Sequence, residues 1–148
     1  MLGSSLQAAS PNPIKIIKKV IDHAALTDGT DATAYIDFGD TIPANSIVLG
    51  VACDFTEAFN SDDTTTLTMM IGYVGDLDAF NLTSDPGENA FNHTTDVIWA
   101  GSSCQVPAVL AAKTPRVTFT EDDDGTDIIS SANAAGKVTI SIAYMTVV

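Results

Sequence analysis

Apolar and polar residues alternate along most of this chain with a period of two, the signature of strands with one buried face. Val138, Ile140, Ile142 and Tyr144 alternate with Thr139, Ser141 and Ala143. Leu67, Met69, Ile71 and Tyr73 alternate with Thr66, Thr68, Met70 and Gly72. Ala34, Ile36 and Phe38 interleave with Thr33, Tyr35 and Asp37, and Val117 and Phe119 with Thr118 and Thr120. A longer run places Ile47, Leu49, Val51, Cys53, Phe55 and Phe59 on one side, opposite Val48, Gly50, Ala52, Asp54, Thr56 and Ala58. Shorter strands are predicted near Asp96–Trp99, Gln105–Leu110 and Asp127–Ser130. Asp28-Gly29, Asn60-Ser61-Asp62-Asp63, Asp85-Pro86-Gly87, Asp124-Gly125 and Ala135-Gly136 read as turns, supplying positive φ or Asx geometry. About eight short strands punctuated by turns, with no convincing long helix, predict an all-β antiparallel sandwich or barrel.

The beginning of the chain follows a different pattern. Residues 1–12 lack periodicity and read as an extended arm. In Ile14-Lys15-Ile16-Ile17-Lys18-Lys19-Val20-Ile21, a helix capped by Asn12 would align Ile14, Ile17 and Ile21. The Ile and Val content favours a strand instead, with Ile14, Ile16 and Val20 on one side and Lys18 interrupting them. Residues 1–21 are therefore expected to form an N-terminal arm or edge strand, and residues 22–148 the β domain.

The full chain has 148 residues, one domain's worth, with 45% hydrophobic and 17% charged residues. That apolar content excludes a disordered acidic tail. The net charge is −13, with 6 bases against 19 acids. Lys15, Lys18 and Lys19 precede every acid, so from Asp22 onward only Lys113, Arg116 and Lys137 offset the negative charge. This balance argues against a nucleic-acid partner, whose phosphates require clustered Lys and Arg. No apolar run approaches the roughly 20 residues that cross a bilayer, so no membrane partner is expected. Met1–Ser10 has neither a basic start nor an apolar stretch, and no secretion signal is expected.

Candidate chemistry is sparse. Nucleophilic catalysis needs a Ser or Cys beside a base, but His23 and His93 are far apart in sequence and lie in no nucleophile motif. Cys53 falls in phase with a buried face and reads as a core thiol, and two cysteines are too few for a disulfide scaffold. Four scattered Cys and His residues do not make a zinc site. The acidic loop Glu121–Asp127 is the best cation candidate. Aligned on Gly125 as an EF-hand, however, it places Thr120 and Ser131 where Asp and Glu belong. It reads as a solvated turn. A paired-carboxylate glycosidase is disfavoured because the acids cluster in turns and the aromatic residues are few. Asn81-Leu82-Thr83 and Asn92-His93-Thr94 fit the glycosylation sequon, a common chance match. No catalytic residue, cofactor or metal is expected.

Two stretches carry a resemblance. Ile42-Pro43-Ala44-Asn45-Ser46-Ile47-Val48-Leu49-Gly50-Val51 leads to Glu57-Ala58-Phe59-Asn60 and Thr65-Thr66-Leu67-Thr68. The chain closes with Ser131-Ala132-Asn133-Ala134-Ala135-Gly136-Lys137-Val138-Thr139-Ile140. Over roughly residues 33–148 the chain resembles the decoration, or cement, proteins of tailed bacteriophage heads. The resemblance implies a jelly-roll-like sandwich that oligomerises and clamps capsomers from the outer surface of the capsid, with the major capsid protein as partner and no catalysis. Ile14, Lys15, Ile16, Ile17, Lys18, Lys19, Val20 and Ile21 would then be interaction residues, either in an arm added to a neighbour's sheet or in a first strand of the same domain. A homotrimer is preferred to a homodimer because a ring with exchanged arms uses all its edges. The alternative is a receptor- or glycan-binding module of a phage head or tail fibre, for which Phe80, Phe91 and Trp99 are the aromatic candidates.

Overall fold

The computed structural model describes residues 13–29, 33–60, 67–80, 97–100, 108–121, 129 and 134–147. These form nine strands and one short 3₁₀ turn, His23–Ala25. The strands are β1 (Lys15–Asp22), β2 (Thr27–Asp28), β3 (Thr33–Asp37), β4 (Ser46–Asn60), β5 (Leu67–Tyr73), β6 (Val97–Ala100), β7 (Ala108–Val109), β8 (Pro115–Glu121) and β9 (Ala135–Thr146).

All pairings are antiparallel. One sheet runs β1-β9-β4-β6, with β7 also on β4, and the other runs β2-β3-β8-β5. Strands from the two ends of the chain pair in succession, β1 with β9, β3 with β8 and β4 with β6, and the pairs fall alternately in the two sheets. That winding makes an all-β, jelly-roll-like sandwich. Winding strand pairs from both ends places β9 in the middle of its sheet, between β1 and β4.

The core lies between the sheets. Val138, Ile140, Ile142 and Tyr144 of β9 point into it, as their alternation predicts, as do Leu67, Met69 and Ile71 of β5. Phe59 of β4 meets Phe119 of β8 with ring centroids 4.6 Å apart, joining the sheets through an aromatic contact. Gly136 has φ +143°, and a Cβ there would collide with the Phe59 ring. Ala135-Gly136 is therefore the start of β9 rather than a turn. At Gly72 a side chain would strike the Asp76 carbonyl oxygen and the Leu77 backbone. The missing side chain lets the segment after β5 fold back, with Phe80 N–H donating to the Ile71 carbonyl at 2.9 Å.

β4 departs from strict alternation. Val48 pairs with Tyr144 and Gly50 with Ala143, so Leu49 is an extra residue in a β-bulge. Val48 turns inward with no exposed surface, Leu49 is 40% exposed, and Ile47 is half-buried. Alternation predicted the reverse for these three residues, while Val51, Cys53, Phe55 and Phe59 are buried as expected. The predicted strands at 96–99 and 105–110 appear as β6 and β7. Of residues 127–130, predicted as a strand, only Ile129 lies within the described residues; it is helical rather than extended and packs against the core.

Candidate functional site: the outer face of the β1–β9–β4 sheet

The predicted interaction segment forms the edge of the first sheet. β1 pairs with β9 of the same chain from Lys15↔Tyr144 to Asp22↔Lys137. Ile17 and Ile21 enter the core at 7% and 0% exposure. Ile14, Ile16 and Val20, together with Lys18, face outward, with the three apolar residues 64%, 66% and 54% exposed. Lys15 is exposed at the start of the strand. Lys19 is half-buried, and its charge helps hold the Asp37 carboxyl below its usual range, behind the larger effect of Arg116.

Strand register extends this outer face across the sheet. Ile16 lies beside Ala143, which lies beside Gly50. Next come Lys18, Ser141 and Ala52, then Val20, Thr139 and Asp54. At one end, Met145 pairs with Ile47, with Ile14 just before β1. At the other end Asp22 pairs with Lys137, whose Nζ is 3.4 Å from Asp22 Oδ2, and Glu57 lies across from Lys137. The face is therefore apolar and small-residue-rich at one end and charged at the other.

Asp37 on the other sheet accepts two hydrogen bonds from Arg116, Nε to Oδ1 at 2.7 Å and Nη2 to Oδ2 at 2.9 Å. The Arg116 guanidinium also lies 3.9 Å from the Tyr35 ring centroid. Lys113 Nζ sits 4.3 Å from the Tyr73 ring centroid.

The remaining candidates have the following places. Cys53 is fully buried, and burial pushes its thiol up to about 12, which leaves it unreactive at neutral pH. His23 Nδ1 lies 3.3 Å from Asp22 Oδ1 without a hydrogen bond, while Asp22 accepts from the Ala24 N–H. Among the described residues no group of three or more His, Cys, Asp or Glu side chains is placed to hold a metal ion. Phe80, an aromatic candidate for glycan stacking, is fully buried, its ring 5.8 Å from that of Tyr73. Its apolar ring folds back into the core instead of standing in a loop. His93, Phe91, Cys104, both sequons, residues 122–127 of the acidic loop and the arm 1–12 lie outside the described residues, as does the side chain of Trp99.

No protein-family model matches the chain, and no curated protein matches it. Its fold is similar to that of a chain in the cyanophage Pam1 capsid asymmetric unit, with TM-score 0.56 and 16% identity over 97% of each chain. A chain of the Ralstonia phage GP4 capsid gives TM-score 0.47 and 15% identity, covering 95% of this chain and 90% of that one.

Proposed function

We propose that this chain is a structural virion protein, a cement or decoration protein that binds the outer surface of a phage head and stabilises contacts between capsomers. One observation carries the reading: the fold is shared along 97% of both chains with a protein of a phage capsid asymmetric unit. The strand-spacing resemblance over residues 33–148 agrees with it. Fold alone does not assign function. The nature of the available surface adds to the case, because the outer face of the first sheet offers apolar contact area and a lysine.

The mechanism is mass action. A protein that binds the assembled lattice and not its dissociated parts raises the stability of the lattice in proportion to the logarithm of its concentration over Kd. The partner is the major capsid protein, with Ile14, Ile16, Lys18 and Val20 as accessible contact residues, while Ile17 and Ile21 anchor β1 in its own sheet. A net charge of −13 keeps the free protein soluble.

The test uses heads of the phage that encodes this chain, assembled without it. Purified protein is expected to bind these heads saturably at fixed stoichiometry and to raise the temperature at which they burst. Absence of binding, or binding to host cells or a glycan array instead, overturns the reading.

A further inference from the structure

We draw no further inference here: the strongest candidate, the outer face of the β1–β9–β4 sheet where Ile14, Ile16 and Val20 stand exposed, belongs to the surface already described, and nothing in the structure shows what else covers it.

Discussion

On the β3–β8–β5 sheet the outward side chains engage one another. Arg116 holds Asp37 with two hydrogen bonds and stacks on Tyr35, Thr118 between Tyr35 and Met70 is only 4% exposed, and threonines fill the next row. On the β1–β9–β4 sheet the outward side chains have few partners over most of the face: Ile16 and Val20 face water, and Lys18 and Asp54 form no salt bridge among the described residues. The two faces share one core and one winding. One pairs its outward charges within the chain through Arg116, Asp37 and Tyr35, whereas most outward side chains of the other face solvent. The outer chemistry of a sandwich can thus be closed on one sheet and left open on the other.

The comparison assumes that stability comes from the core and not from either outer face, and the largest effect tests that. Ile140→Ala empties a fully buried position on β9 and should cost about 2–5 kcal/mol, while Ser141→Ala, on the opposite side of the same strand, should cost less than about 0.5 kcal/mol. Urea denaturation at low protein concentration measures both. Similar costs at the two positions would break the distinction between inner and outer faces.

A middling effect is expected on the closed face. Arg116→Ala removes the Asp37 clamp and the contact with Tyr35, and should cost about 0.5–1 kcal/mol at neutral pH. Arg116 holds the Asp37 carboxyl below its usual range in the folded protein. The stabilisation from the carboxylate is therefore present above the unfolded pKa of about 4 and lost as pH falls through the lower folded value. Denaturation of both proteins at pH 7 and near pH 2 should show their difference shrinking in acid. An unchanged difference would assign the effect of Arg116 to its contact with Tyr35 rather than to the ion pair.

The smallest effect is expected on the open face. Ile16→Thr should change monomer stability by less than about 0.5 kcal/mol, because the side chain is 66% exposed and β-branching is kept. A loss of more than about 1 kcal/mol in a dilute thermal melt would mean that Ile16 supports the fold, and the contrast between faces would fail.

The sequence made some elements legible and left others ambiguous for identifiable reasons. β9 was readable because its two parities differ sharply: Val138, Ile140, Ile142 and Tyr144 on one side, and only small or polar residues through Ser141 and Ala143 on the other. β1 was ambiguous in its facing. Both parities carry isoleucines, and the apolar-richer side, Ile14, Ile16 and Val20, proved to be the solvent side. The inward side tolerates its two lysines because Lys15 lies at the exposed strand start and Lys19 extends toward Asp37. Ile47-Val48-Leu49 posed the same problem, since a bulge is invisible when three neighbouring residues are all apolar. Phe80, an aromatic candidate for glycan contact, is buried because of a close approach at Gly72 that depends on backbone packing local sequence does not display. The open face follows from register across three strands, and single-strand periodicity does not contain that information.

Leu49 stands outside the ladder that its neighbours obey. Val48 points in, Gly50 out and Val51 in, so excising that single codon would straighten β4 without reassigning any other side chain. The stickiness of the sheet can thus be raised or lowered by one insertion or deletion, while the interior keeps its packing. Selection can therefore alter the outer surface of β4 at one position while leaving the scaffold untouched.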